Sequence, residues 1–198
     1  MKLSNFFSIL ILIIFCLLSN ISSVQATVND INISSNENIS FVIYGENFTY
    51  ENAPDIIKKE YLDNCVALGI SPKPKDEIFV PLNISKDLNI NTYSSSEYYS
   101  ISYHDNYIQV KGSKNYSINV NTTYVGYNHI TSGNAVHCLQ LLLLCEFNSK
   151  YHVFPDISID SLFGPNTHDA LIKFQDYTNL STDAICGPNT WKTFFNYI

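Results

Sequence analysis

The sequence contains no arginine, and this absence limits the partners that the protein can bind. All eleven basic residues are lysines, set against eighteen acidic residues, for a formal net charge of −7. Arginine is the residue that binds phosphate bidentately, and an acidic surface repels nucleic acid and anionic lipid headgroups. Any polymer that this chain binds must be held through hydrogen bonds, aromatic stacking or shape.

Long apolar runs are scarce as well, and the single one lies near the N-terminus. Lys2 precedes an apolar run at residues 6–18, and Val24-Gln25-Ala26 has small residues where a signal peptidase reads. Those thirteen residues span about 20 Å as a helix, short of a hydrocarbon core of roughly 30 Å. We predict a cleaved signal peptide over residues 1–26 and a secreted, extracellular mature protein without a membrane segment.

Cysteines are few, and their number fits an oxidising compartment. Four remain after the predicted signal peptide: Cys65, Cys138, Cys145 and Cys186. An even number in an exported chain favours disulfides. Cys138 and Cys145 fall in one predicted helix, where their Cα atoms are about 10 Å apart, beyond the roughly 7 Å limit for a bridge. Cys186 is left to pair with one of them or with Cys65, and buried free thiols are the alternative.

Motifs for catalysis and metal binding are absent from the sequence. There is no H-E-x-x-H, no S-x-x-K and no pair of histidines at metal-ligand spacing. We therefore predict no catalytic residue, no metal and no cofactor. The weaker catalytic alternatives are Cys65 with His104 or His129 as base, and a carboxylate pair among Glu46, Glu51 and Glu60.

Glycosylation sequons are abundant in this Asn-rich and Ser-rich chain. The N-x-S/T motifs begin at Asn32, Asn38, Asn47, Asn83, Asn115, Asn121 and Asn179. In a eukaryotic secretory pathway these asparagines are candidates for N-glycosylation at surface positions. In an AT-rich bacterial sequence they carry no such meaning, and the sequence leaves the source open.

The region 27–130 predicts a β-rich domain with one helix. Short apolar alternations, such as Tyr99, Ile101 and Tyr103, are typical of strands, and polar turn residues separate them. The segment 53–68 has a helical period and ends before Gly69. A proline-rich extended segment follows the helix. We assign this region to an uncharacterised α+β domain.

The region 131–198 contains an internal repeat. Asp160 to Thr167 recurs as Asp183 to Thr190, with six of eight positions alike at a spacing of 23 residues. In each copy, a glycine is expected to supply an unusual backbone conformation, and a threonine to cap the following helix. Helices are predicted around residue 140, after Thr167 and after Thr190. The repeat predicts a small, separate, all-α three-helix module.

Ordered motifs across residues 131–198 resemble the peptidoglycan-binding-domain-like family. The motifs are Gly133…Val136…Leu139-Gln140, Asp160…Gly164-Pro165…Thr167…Phe174-Gln175 and Asp183…Gly187-Pro188…Thr190-Trp191. Ser161 and Ala184 stand where the family's two D-G turns have glycine. These replacements predict a different turn or a small backbone strain. The resemblance implies a three-helix module that attaches secreted proteins to the bacterial cell wall.

Five residues of this module are candidates for ligand binding: Gln140, Asp160, Gln175, Asp183 and Trp191. The amides and carboxylates suit hydrogen bonds to glycan or stem peptide, and Trp191 suits stacking on a sugar. The structural alternative is that the glutamines satisfy loop carbonyls, that the aspartates form turns and that Trp191 packs in the core.

The function predicted from the sequence is a secreted, non-enzymatic protein that binds cell-wall peptidoglycan through its C-terminal module. A second hypothesis is a small cell-wall hydrolase with its catalytic site within residues 27–130. A third is an extracellular glycoprotein that uses the fold as a protein-interaction module. The fold alone does not decide between these ligands.

Overall fold

Five antiparallel strands form one sheet in the computed structural model. The described residues are 40–82, 97–151 and 158–196, and only the backbone is described for residues 145–151. The sheet order is β2-β1-β3-β4-β5. The strands are β1 Ser40–Thr49, β2 Glu77–Pro81, β3 Glu97–His104, β4 Tyr107–Gly112 and β5 Tyr116–Asn119. The predicted signal peptide, residues 1–26, lies outside the described residues.

Helices follow both the first strand and the last. They are α1 Asp55–Leu68, α2 Asn134–Tyr151, α3 Pro165–Tyr177 and α4 Pro188–Phe194. The predicted helix ending at Gly69 is confirmed, because Gly69 closes α1 in the left-handed conformation at φ 65°. Among the described residues, no helix has the length and apolarity needed to cross a membrane.

Alternation of apolar side chains explains the three strands that were predicted most directly. In β3, Tyr99 and Ile101 are buried, while Ser100 between them faces the other side of the sheet. The two-residue turn Asp105-Asn106 joins β3 to β4, as the sequence predicted. Strand β2 was predicted only as an extended proline-rich segment, because four consecutive buried residues remove the alternating signal.

One hydrophobic core joins the sheet to the C-terminal helices. Phe195, just after α4, stacks on Phe41 of β1 and on Tyr103 of β3, with ring centroids 6.2 and 4.6 Å apart. His137 of α2 lies edge-on to Tyr99, at 4.7 Å. These contacts place α2 and α4 against the inner side of the sheet, and the same buried cluster continues into α3.

The predicted fold class was wrong, because the C-terminal part is not a separate all-α module. Its two repeated loops form β-bridges with earlier segments: Leu162 pairs with Ser132, and Cys186 pairs with Val125. Ile159 pairs with Phe79 of the large five-stranded sheet. Backbone hydrogen bonds and the shared core therefore tie the helices to the sheet in an α+β structure. The division of the chain at residue 130 stays a prediction, and contacts cross it.

Gly164 allows α1 to approach the first repeated loop closely. Its φ of −87° is open to any residue, so the glycine is not needed for an unusual backbone conformation. A Cβ at this position would instead overlap the Asn64 amide of α1. Gly187 in the second loop is similar, because a Cβ there would lie 2.8 Å from the Tyr124 ring. The sequence-based explanation of both glycines was wrong, since close approach is what requires them.

We expect Gly164→Ala to destabilise the whole chain by about 2–4 kcal/mol, because overpacking displaces the buried Asn64 amide. The control is Gly69→Ala, where a Cβ meets no atom within 4 Å. Because residue 69 has a left-handed backbone conformation, Gly69→Ala should lower the free energy of unfolding by about 1 kcal/mol. Urea unfolding followed by Trp191 fluorescence and by far-UV circular dichroism measures both variants. Coincident transitions are expected from one core. Separate transitions, or equal costs for the two variants, would contradict this account.

Candidate functional site

The first repeated loop is held by a buried Gln–Asp pair. Gln140 of α2 donates through Nε2 to Asp160 Oδ1 at 2.7 Å and to the Leu162 carbonyl at 3.1 Å. Gln140 Oε1 accepts from the Ser161 backbone N–H at 2.9 Å. Asp160 also accepts from the Leu162 N–H at 2.9 Å. The pair thus satisfies the Ser161 and Leu162 N–H groups and the Leu162 carbonyl of the turn.

The second repeated loop has the same arrangement, displaced along the chain. Gln175 of α3 donates to Asp183 Oδ1 at 2.9 Å and to the Ile185 carbonyl at 3.1 Å. Its Oε1 accepts from the Ala184 N–H at 2.9 Å, and Asp183 accepts from the Ile185 N–H at 2.9 Å. Helices α2 and α3 therefore each carry a glutamine that fixes the loop that follows the helix.

The repeated threonines do not cap the helices, contrary to the sequence-based expectation. Helices α3 and α4 begin at Pro165 and Pro188, with proline in the first turn and no side-chain cap. Thr167 and Thr190 lie inside the first turn, and their hydroxyls donate back to the Leu162 and Ile185 carbonyls. The threonines thus close the loops from the helix side.

The residues that replace the turn glycines keep the glycine conformation. Ser161 has φ 64° and Ala184 has φ 55°, both in the left-handed region. Asn179, two residues after the end of α3, has φ 57°. The predicted backbone strain is confirmed for Ser161 and Ala184, because left-handed φ costs a residue with a Cβ about 1–2 kcal/mol. The Gln–Asp pairs hold this strained turn in place.

We expect Ser161→Gly to stabilise the protein by about 0.5–1 kcal/mol, because relief of strain exceeds the added entropy of the unfolded chain. The matched control is Ser181→Gly, at an exposed position that is not among the positive-φ residues. There only the entropy changes, so a loss of about 0.4–1 kcal/mol is expected. Thermal or urea unfolding measures both. Destabilisation by Ser161→Gly would refute the strain.

A second carboxylate lies beside Asp160 and connects α1 to the first loop. Glu60 accepts from the Ser158 hydroxyl at 3.0 Å, from its N–H at 3.3 Å and from the Asn166 amide at 3.4 Å. Asn64 donates to Asp160 Oδ2 at 2.7 Å. Burial, and then the neighbouring Asp160 charge, raise the pKa of Glu60 to about 7. Burial also raises the pKa of Asp160.

We expect stability to fall as the pH rises from about 4.5 to about 7. The pKa of Glu60 is higher in the folded state, so its favourable contribution is complete below the unfolded pKa and is lost through the folded pKa. Glu60→Gln should therefore reduce the fall in the free energy of unfolding over this pH range by about 2 kcal/mol, a figure that allows for the partial exposure of Glu60. Glu51→Gln, at an exposed position, is the control. Equal pH slopes in urea unfolding of the wild type and Glu60→Gln would contradict the assignment.

His137 of α2 is buried against the sheet. Its Nδ1 is hydrogen-bonded to the Tyr116 hydroxyl. Burial, and then the Lys114 charge, lower the pKa of His137 to about 3, so the ring is neutral near pH 7. In the described part of the chain, no three His, Cys, Asp or Glu side chains are grouped as a metal site requires.

An exposed aromatic surface lies on the segment 123–130, beside α3. Tyr124 stacks on His129 with centroids 5.7 Å apart, and Tyr127 tilts on His168 of α3 at 5.4 Å. Tyr124 and Tyr127 keep 43% and 39% of their surface exposed. We name Tyr124, Tyr127, His129 and His168 the loop patch. Sequence reasoning missed it, although two tyrosines and a histidine within six residues are a signal.

Both repeated loops support the loop patch. Val125 pairs with Cys186 of the second loop through backbone hydrogen bonds of 3.1 and 2.8 Å. The Tyr127 ring meets Phe163 of the first loop edge-on at 5.3 Å. Trp191 Nε1 donates to the Thr123 carbonyl at 2.9 Å from beneath. The patch is thus fixed at both ends and from below.

The five ligand candidates predicted from the sequence lie in the repeated loops and helices that hold the loop patch. The structure brings Gln140 together with Asp160, and Gln175 with Asp183, while Trp191 is fully buried in the core. Gln140, Gln175 and Asp160 are also buried. Their ligand-binding role stays a prediction, and each of them already has a protein partner.

The remaining predicted sites are distributed over the surface and the core. Asn47, Asn115, Asn121 and Asn179 are exposed, while Asn32, Asn38 and Asn83 lie outside the described residues. Glycosylation at these positions stays a prediction. Cys65, Cys138 and Cys186 are buried free thiols, so no disulfide joins the described cysteines. The Cys145 side chain lies outside the described residues, and its pairing stays a prediction.

Comparison with known proteins defines the class. Family models described as putative peptidoglycan-binding domains match residues 39–105 and 132–194. A solved structure of a peptidoglycan-binding protein from Clostridioides difficile, in complex with glutamine hydroxamate, matches with a TM-score of 0.62 and 31% identity. The match covers 77% of this chain and 92% of that chain. No curated protein is significantly similar to this chain.

The chain belongs to the peptidoglycan-binding-domain family, as the C-terminal motifs indicated. The comparison adds residues 39–105, which sequence reasoning had left without a family. These residues contain β1, α1, β2 and β3. Cell-wall binding is therefore supported for the helical part and also for most of the sheet.

Proposed function

We propose that this is an exported, non-enzymatic protein that holds bacterial peptidoglycan on the loop patch of its C-terminal half. The observation that carries the proposal is an exposed aromatic surface that is fixed by both repeated loops. It lies against the part of the chain that the second family model matches. Export rests on the sequence pattern of residues 1–26.

The chemistry of the loop patch suits an amino-sugar polymer. Tyrosine rings offer apolar faces for the C–H face of a sugar, and their hydroxyls serve the polar substituents. His129 and His168 add ring nitrogens that accept or donate hydrogen bonds. No lysine belongs to the patch, so binding there depends on stacking and hydrogen bonds, as the arginine-free composition requires.

In this proposal the five candidates, four of them buried and Asp183 exposed, act as positioning residues. The two Gln–Asp pairs fix the loops, and Trp191 supports the segment 123–130 through the Thr123 carbonyl. A binding surface must be held by packed supporting residues to keep its geometry. Changing Gln140 or Gln175 should therefore weaken binding and stability together, whereas changing a patch tyrosine should weaken binding more than stability.

The ligand bound to the related C. difficile protein suggests which part of the wall to test. Glutamine hydroxamate is an amino-acid derivative, and peptidoglycan contains stem peptides as well as glycan. For this chain, a patch that prefers stem peptide would bind glutamine derivatives. A patch that stacks on sugar would bind peptide-free glycan fragments instead.

We expect Tyr127→Ala to lower the amount of mature protein that sediments with insoluble peptidoglycan, with an affinity loss of about tenfold from the lost stacking. Tyr177→Ala is the matched control, because Tyr177 is an exposed tyrosine at the end of α3. Circular dichroism checks that both variants are folded. Absence of sedimentation by the wild type would refute wall binding. An unchanged affinity for Tyr127→Ala would refute the loop patch as the site.

A further inference from the structure

The outer side of the sheet is a second exposed surface with aromatic residues. Because Tyr99 and Ile101 of β3 point into the core, the alternate residues of that strand point away from α2 and α4. Tyr44 and Tyr98 are cross-strand partners on β1 and β3, with ring centroids 6.3 Å apart. They keep 44% and 48% of their surface exposed.

A second aromatic pair lies at the other end of β3. His104 and Tyr107 are partners across the β3–β4 hairpin, and their rings stack at 4.7 Å with an interplanar angle of 18°. One face of Tyr107 is covered by the histidine, and 41% of the residue remains exposed. Tyr98 and His104 are six residues apart on one strand, which places the two pairs about 20 Å apart.

Hydroxyl and amide groups occupy the surface between the two aromatic pairs. Ser102 and Gln109 are cross-strand partners in the middle, and Ser102 Oγ lies 3.2 Å from His104 Nε2. Among the outward positions of β3 and β4, only Lys111 carries a full charge. We name Tyr44, Tyr98, Ser102, His104, Tyr107 and Gln109 the sheet face.

We propose that the sheet face is a second wall-binding site and that its occupant is a stretch of the glycan strand, bound along β3. This inference rests on the proposed function for the choice of polymer. Aromatic rings at both ends of a nearly uncharged row of hydroxyls and amides match a chain of N-acetylated sugar rings. A stem peptide carries charged carboxylates, for which this surface offers one lysine.

The family comparison supports this location independently of the loop patch. The first peptidoglycan-binding model covers residues 39–105, which include Tyr44, Tyr98, Ser102 and His104 but no residue of the loop patch. A surface about 20 Å long suits an oligosaccharide rather than a single sugar ring. Two sites on one rigid core would also raise the avidity for a continuous wall, because the second contact becomes intramolecular.

Titration of the full mature chain with soluble β-1,4-linked N-acetylglucosamine oligomers, from disaccharide to hexasaccharide, tests the inference. We expect affinity to rise with oligomer length up to the span between the two aromatic pairs. Tyr98→Ala and Tyr107→Ala should each lower hexasaccharide affinity by about tenfold while changing disaccharide affinity less. Tyr98→Phe keeps the ring and should retain binding, and Tyr177→Ala is the surface control.

The outcomes separate this site from the loop patch. Loss of hexasaccharide binding in the sheet-face variants, with binding retained in Tyr127→Ala, supports the sheet face. Loss only in Tyr127→Ala overturns the sheet face and leaves wall binding by the loop patch intact. If the sheet-face variants instead lose binding to a glycan-free stem peptide and not to the oligosaccharide, the glycan assignment is overturned. Circular dichroism shows whether Tyr98→Ala is folded. If it is unfolded, the hexasaccharide affinity of Tyr107→Ala decides whether the sheet face is the site.

Discussion

The buried carboxylate of Asp160 needs hydrogen-bond donors, and it obtains them from three separate parts of the chain. Asn64 donates from α1, Gln140 donates from α2, and the Leu162 N–H donates from the loop itself. Burying a carboxylate without partners would lower the stability of the fold by several kcal/mol. The position of Asp160 therefore depends on α1, α2 and the loop packing together. Gly164 completes the arrangement, because only a residue without a Cβ lets Asn64 approach this closely.

Two external surfaces depend on this internal constraint. The Gln–Asp pairs fix the two repeated loops, and these loops hold the segment 123–130 with its exposed tyrosines. The core formed by Phe195, Phe41 and Tyr103 holds the helices on one side of the sheet and leaves the other side exposed. In our proposals a wall polymer meets surfaces that one packed core holds in place, which lowers the cost of ordering loops on binding.

Local features of the structure followed from the sequence where a local rule was sufficient. The strand alternation at Tyr99 and Ile101, the helix stop at Gly69 and the strained turns at Ser161 and Ala184 are examples. The roles of the repeated threonines and glycines did not follow. The helices begin at Pro165 and Pro188, earlier than the threonines suggested. The two glycines are required by the close approach of residues distant in sequence, Asn64 and Tyr124.

By itself, the sequence determined most of the strands and helices, the repeated loops and the family of the C-terminal part, because these depend on periodicity and on ordered motifs over short distances. Only the tertiary structure decided that the helices and the sheet share one core, since the pairings of Ile159 with Phe79 and of Asp160 with Asn64 join residues about 80 and 96 positions apart. It also decided that four of the five predicted ligand residues are buried, with Asp183 exposed, and that the exposed tyrosines lie elsewhere. Burial is a property of the packed chain, and no local pattern specifies it.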